Sequence, residues 1–211
     1  TCVYLLPIYV MITNSLKTLP EIQQRTYMAF PIKPQFQNYS SALFGSRDFL
    51  IPMKRPIIHS TILTLAVTLF ADFFGDLGGY YLSRSRSSFA RTIFILVGIA
   101  LYLPVQAVII PLTTITARSG LANTHIGLIL SYLIINLPLA SVLMGTFFLG
   151  VPRELEEAAE VDGANKIQTF FKVVSPISLP AYASVAIIIF TQVWNEFFIS
   201  LTLSTPKTQT A

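Results

Sequence analysis

Long apolar runs alternate with short polar connections along most of this chain, and the lengths of the runs decide how it is read. Residues 57–82, 92–112, 126–149 and 181–203 each hold about the 20 residues that an α-helix needs to cross a bilayer. Residues 1–15 form a shorter apolar run, expected to be the tail of a span that starts before Thr1. Residues 16–56 are the most polar long stretch and are broken by Pro20, Pro31, Pro34, Pro52 and Pro56. They read as an extramembrane loop with short helical pieces. Pro138, inside the third complete run, predicts a kink, tolerated where neighbouring helices or water satisfy the freed carbonyls. The pattern therefore predicts an all-α, polytopic transmembrane bundle with one partial and four complete spans, in a single domain over residues 1–211.

Composition strengthens this reading. Of 211 residues, 53% are hydrophobic and 11% charged, whereas a soluble domain carries about 25% charged residues. Charge is costly inside a bilayer and is kept to the ends of segments. The net charge of +4 is spread along the chain and makes no nucleic-acid stripe. The single cysteine, Cys2, excludes an internal disulfide and a cysteine-based metal cluster. No G-x-x-x-x-G-K-[ST] phosphate loop is present, so this chain is not expected to bind ATP itself. His59 and His125 lie near run ends as interfacial or capping residues. No metal site and no serine, histidine and acid set is expected.

Orientation follows the preference of basic residues in short loops for the cytoplasm. Residues 83–91 carry Arg84, Arg86 and Arg91, and residues 151–180 carry Arg153, Lys166 and Lys172. Two runs separate these loops, so they share a side, while the connection on the other side holds only Arg118. Both arginine-bearing loops are expected in the cytoplasm. Residues 16–56 are then extracytoplasmic, although they carry Lys17, Arg25, Lys33, Arg47, Lys54 and Arg55.

One segment breaks the apolar pattern. Half of the ten carboxylates, Glu154, Glu156, Glu157, Glu160 and Asp162, fall within nine consecutive positions. Pro152 suits the start of a helix, and three glutamates complement its positive end. Leu155, Ala158, Ala159 and Asp162 share a small-residue face at helical spacing. Gly163 marks a terminator. Beyond it Ile167, Phe170, Phe171 and Val174 recur as an amphipathic stripe, and Pro176 and Pro180 stop that second helix. The loop reads either as a solvated interfacial helix pair or as a docking element whose acidic face meets a basic groove.

The segment "EAAEVDGANKIQTFFKVVSPISLP" resembles the EAA signature of permease subunits in bacterial ABC importers. Glu157, Ala158, Ala159 and Gly163 match its first part and Pro176 and Pro180 its end, while Ser175 stands where a leucine is usual. "YLLPIYVMITNSLKT", "NTHIGLILSYLIINLP", "VPRELEEAAEVDGA" and "VWNEFF" resemble the carbohydrate-importer branch, near the second permease of maltose-type transporters. The resemblance implies the type I importer permease fold, with six spans in the intact protein, in a bacterial inner membrane. It implies a non-catalytic subunit for a sugar or polyol, partnered by a second permease, two ATP-binding subunits and an extracytoplasmic substrate-binding protein. ATP and Mg2+ would sit on the ATPase. Glu157, Ala158, Ala159, Asp162 and Gly163 would form the coupling helix seated in that subunit.

Polar residues inside the runs are candidates for the translocation path. Trp194, Asn195 and Glu196 suit a hydrated sugar path, or equally helix–helix bonding, and Asn136 is of the same kind. Asp72 and Asp76 lie four apart and share a helical face. They are functional candidates by default, with a structural pairing favoured. Gly75 and Gly79 give a G-x-x-x-G spacing that permits close helix approach. Rival readings are an ion-coupled secondary transporter that uses Asp72, Asp76 and Glu196 as relays, an importer permease for a non-sugar solute, and a membrane scaffold.

Overall fold

The computed structural model describes residues 2–24, 27–46 and 52–203. Thr1, Arg25 and Arg47, which entered the reading of the first run and loop, lie outside them. The described residues are helices and turns, with no β-strand among them. They pack as two compact units that divide between Ile57 and Ile58.

The first unit holds α1 (Cys2–Ser15), α2 (Leu19–Gln23) and α3 (Gln37–Phe44). Its loop is tied by specific polar contacts. The Glu21 carboxylate accepts from the Thr18 amide at 2.9 Å and from the Ile32 amide at 3.0 Å. Those two amides, Thr18 first, hold its pKa below the ordinary carboxylate range, because they favour the charged form. Asn38 donates to the carbonyls of Ser15 and Lys17. Lys17 is buried, its ammonium donating to Asn14 at 3.0 Å.

The second unit is built on two long helices, α4 (Lys54–Arg84), of which it holds the part from Ile58 onward, and α7 (His125–Gly150). Between them lie α5 (Ser88–Ala100) and α6 (Val105–Arg118). After α7 come α8 (Glu154–Val161), α9 (Lys166–Thr169), a π-helical turn over Phe170–Val174, α10 (Ser175–Ile177), α11 (Leu179–Asn195) and α12 (Phe198–Leu203). The buried stripe of α4, Leu63, Val67, Ala71, Gly75 and Gly79, follows helical spacing. Its two glycines meet Ala140, Ser141, Met144 and Gly145 of α7. A Cβ on Gly75 would overlap the Ala140 side chain, and one on Gly79 would lie 2.7 Å from the Gly145 nitrogen and the Ser141 carbonyl. At the G-x-x-x-G spacing α4 thus lies close against the backbone of α7. Outward faces are apolar, with Leu69, Ile110 and Ile187 about two-thirds exposed or more, as suits helices that face lipid rather than water.

Among the described residues two helices, α4 and α7, are each long and apolar enough to cross a membrane. Two further pairs reach that length only together: α5 with α6, bent by 108°, and Lys166–Ile177 with α11, bent by 75°. Residues 92–112, read as one span holding Pro104 and Pro111, fall on two helices that meet at the 108° bend. Pro104 sits before α6 with extended backbone (ψ 136°); having no N–H, it cannot continue α5. Pro111 and Pro138 lie inside α6 and α7 without ending them. Residues 181–203 divide between α11 and α12, with the break at Glu196.

Candidate functional site

The acidic segment forms an exposed helix whose two ends are fixed by local bonds. Glu154, Glu156 and Glu157 occupy the first turn of α8, where the helix dipole favours negative charge. At the other end Gly163 takes φ +88°, a left-handed conformation suited to glycine. The Gly163 amide donates to the Glu160 carbonyl at 3.0 Å and the Ala164 amide to the Ala159 carbonyl at 2.9 Å, the paired bonds of a Schellman terminus. Asn165 starts α9 at once. Its side chain accepts from the Gln168 amide at 2.9 Å, and the Gln168 side chain accepts from the Asn165 amide at 3.0 Å, a reciprocal cap. Nothing between the two helices is left to chance.

Glu154, Glu157, Ala158, Glu160, Asp162 and Gly163 are exposed and Ala159 is half-buried. Val161, at 87% exposure, and Ile167, at 70%, stand among the carboxylates. The surface is therefore both negative and apolar, with Val161 and Ile167 exposed among charged groups. The amphipathic stripe beyond Gly163 splits: Phe170 and Val174 are buried, while Ile167 and Phe171 remain exposed. Phe170 packs on Tyr80 at 4.8 Å and on Phe148 at 6.4 Å between ring centres, fastening the loop to α4 and α7.

Of the five clustered carboxylates, only Glu156 turns inward. Its Oε1 lies 2.7 Å from Arg84 Nε, and its Oε2 accepts from the Tyr80 hydroxyl at 2.7 Å. The Arg84 contact is a close charge pair lying off the hydrogen-bond direction. Arg84 also donates to the Val151 carbonyl at 2.8 Å. The sequence offers Tyr80 only within a run and Arg84 only as a basic loop residue, so this partnership goes unseen there.

A second site lies where α11 breaks. A cavity of about 480 Å³ is lined by Asn136, Pro138, Gln192, Asn195 and Glu196 together with apolar side chains from α6 and α7. Three of the path candidates thus meet. Glu196 also has local work: its carboxylate accepts from the amides of Phe198 at 2.8 Å and Ile199 at 2.9 Å, capping α12. The buried Tyr132 hydroxyl donates to it at 2.9 Å and lies 2.6 Å from the Ser200 hydroxyl. Asn136 donates to the Tyr132 carbonyl at 2.8 Å, and Asn195 to that of Thr191 at 2.8 Å. Tyr132 and Gln192 join the site unannounced by the sequence; the one hint is that Tyr132 lies one turn before Asn136.

The remaining candidates lie elsewhere. Trp194 stacks on Phe190 at 5.8 Å and does not line the cavity. Asp76 is buried and accepts from the Tyr182 hydroxyl at 2.9 Å, tying α4 to α11, and Asp72 is half-buried one turn earlier. The rings of His59 and His125 meet edge-on, with 3.4 Å between Nδ1 and Nε2. Among the described residues, no group of three or more His, Cys, Asp or Glu side chains is placed to hold a metal ion.

Comparison with known proteins gives these features a family context. Residues 75–208 match the model of the binding-protein-dependent transport system inner membrane component. The chain is 33% identical over 210 residues to the glucose import system permease protein GlcU of Saccharolobus solfataricus, covering 96% of this chain and 71% of that one. It is 31% identical over 206 residues to the trehalose transport system permease protein SugB of Mycobacterium tuberculosis, covering 96% and 72%. In structure it is similar to a chain of a bacterial ABC transporter involved in the import of the acidic polysaccharide alginate. That match has a TM-score of 0.83 at 22% identity and covers 98% of this chain and 70% of that one.

Proposed function

Since the chain belongs to the binding-protein-dependent transport system inner membrane components and is a permease subunit of an ABC importer, we propose that it forms half of the pathway for a sugar or related polyol and takes its drive through α8. The single observation that carries this reading is α8 itself: a rigidly terminated helix whose carboxylates and apolar side chains stand exposed in an otherwise lipid-suited unit. A partner ATPase, holding ATP and Mg2+, receives Glu157, Ala158, Ala159 and Asp162 in a cleft, with Gly163 giving the bend. The Lys and Arg residues of the loops at 83–91 and 151–180 support a cytoplasmic position for that side. A second permease, a second ATP-binding subunit and an extracytoplasmic binding protein complete the assembly, in a bacterial inner membrane. Closure of the ATPases then moves a packed bundle between two arrangements.

The sugar reading draws on two features. Relatives are named for glucose and trehalose. The cavity beside Asn136, Gln192, Asn195 and Glu196 offers amide and carboxylate groups suited to hydroxyls. An ion relay through Asp76 and Glu196 is less well supported, because Asp76 is bonded to Tyr182 and Glu196 is occupied as a helix cap.

The test replaces Glu157 with Lys and Gly163 with Val in the reconstituted importer. Uptake is expected to fall about tenfold or more per ATP hydrolysed, the scale of one lost charge-assisted contact. Unchanged uptake with full stimulation by the binding protein in both variants would refute the reading.

A further inference from the structure

We propose that Glu156, Arg84 and Tyr80 form the joint through which a displacement of α8 reaches α4, an inference that rests on α8 being the docking element. The two faces of α8 divide the labour. Glu157 points outward, whereas its neighbour Glu156 points at the body of the protein, its side chain 14% exposed against 12% for Arg84. Both oxygens of this one carboxylate are held from α4, Oε1 by Arg84 at 2.7 Å and Oε2 by Tyr80 at 2.7 Å. Tyr80 and Arg84 lie one turn apart on the same face of α4. The guanidinium reaches further, donating at 2.8 Å to the carbonyl of Val151, the residue that closes α7. One arginine therefore joins the ends of three helices.

The ground beneath the joint is solid. The Tyr80 ring packs edge-on against Phe148 at 5.5 Å and tilted on Phe170 at 4.8 Å, and both phenylalanines are buried. A charge pair set against a closely packed aromatic floor resists stretching, because separating it would cost the pairing of two charges that are each largely shielded from solvent. From α4 the path onward is rigid too. Gly75 and Gly79 press α4 on α7, and the Asp76–Tyr182 bond holds it to α11. A pull on α8 must then move α4 with it. Loss of the joint leaves the outward surface of α8 untouched, so docking and transmission come apart.

That separation gives the experiment. Glu156→Gln and Arg84→Gln are each made in the complete importer with its ATPase and binding protein, reconstituted in proteoliposomes. Three quantities are read: co-purification of the ATPase, ATP hydrolysis, and uptake per ATP. Each single change is expected to leave the ATPase bound and active while uptake per ATP falls about tenfold, the weight of a charge-assisted contact. The exchange of charges, Glu156→Arg with Arg84→Glu, is expected to regain about half or more of the loss, a rescue that general damage to the fold does not give. Tyr80→Phe removes one hydrogen bond and keeps the ring; an approximately twofold to fivefold fall is expected, and it stands in where a charge variant fails to assemble. The proposal is overturned by wild-type uptake per ATP in both Gln variants and in Tyr80→Phe, or by a double exchange no better than either single. Glu157→Lys, run alongside, separates the two readings. If it leaves ATPase binding and uptake per ATP unchanged, α8 is not the docking element. If it abolishes binding while Glu156→Gln is silent, only the joint is lost.

Discussion

At the scale of single residues, two positions have consequences that follow from their backbone surroundings. Gly163 holds φ +88° and a Cβ added there would touch nothing, so the cost of replacing it is conformational. Asn tolerates the left-handed region better than Ala, and β-branched Val least. Melting temperatures of the assembled complex should therefore fall in the order Asn, Ala, Val, with Ala costing about 1 kcal/mol. A Val variant as stable as the parent would contradict this geometry. Glu21 carries a pH dependence. Its folded pKa is lowered by the amides of Thr18 and Ile32, so its contribution is complete above the ordinary value of about 4.3 and is lost as pH falls through the lower folded value. Hydrogen exchange at the Ile32 amide should be slower in the parent than in Glu21→Gln at neutral pH, and the two should converge in acid. Persistent separation in acid would count against the assignment. Gly163 is legible in the sequence because its reason is local. Glu156 is not, because the residue that distinguishes it from Glu157 lies 76 positions away, at Tyr80.

At the scale of elements, glycine contacts are the most exposed claim. A side chain on Gly79 would meet backbone atoms of α7, which cannot turn aside; Gly79→Val is expected to destabilise by about 2 kcal/mol or more. Gly98, within α5, has open space around it, so Gly98→Ala should be neutral or gain up to about 1 kcal/mol of helix propensity. Thermal unfolding in detergent checks both, and equal losses would remove the packing argument. Helices α4 and α7 are legible as apolar runs of the right length, since burial and lipid contact demand the same residues. The broken elements are not. Pro104, Pro111 and Pro138 look alike in sequence, yet only Pro104 stands at a break. Whether a proline ends a helix depends on what neighbours supply to the freed carbonyl. Likewise the break at Glu196 is fixed by bonds to Phe198, Ile199 and Tyr132 that no local pattern displays.

At the scale of the whole molecule, the second unit is a helical bundle that carries an exposed acidic helix. Its apolar exterior suits lipid, its cavity at Asn136, Asn195 and Glu196 suits a polar solute, and among the described residues α8 is the densest run of carboxylates. The fold class is readable from composition, and the exposed acidic helix from the pattern of carboxylates ended by Gly163, whereas the contacts of Glu156 with Tyr80 and Arg84 depend on tertiary structure. The most direct test of the central claim is cross-linking from position 157. With Cys2 replaced by Ser, Glu157→Cys is coupled to a short photoreactive thiol reagent in the assembled importer in membranes, and the captured peptide is identified by mass spectrometry. The account predicts a peptide of the nucleotide-binding subunit, labelled only by reagent admitted to the cytoplasmic face. A peptide of the extracytoplasmic binding protein, or labelling from the outer face, would contradict it.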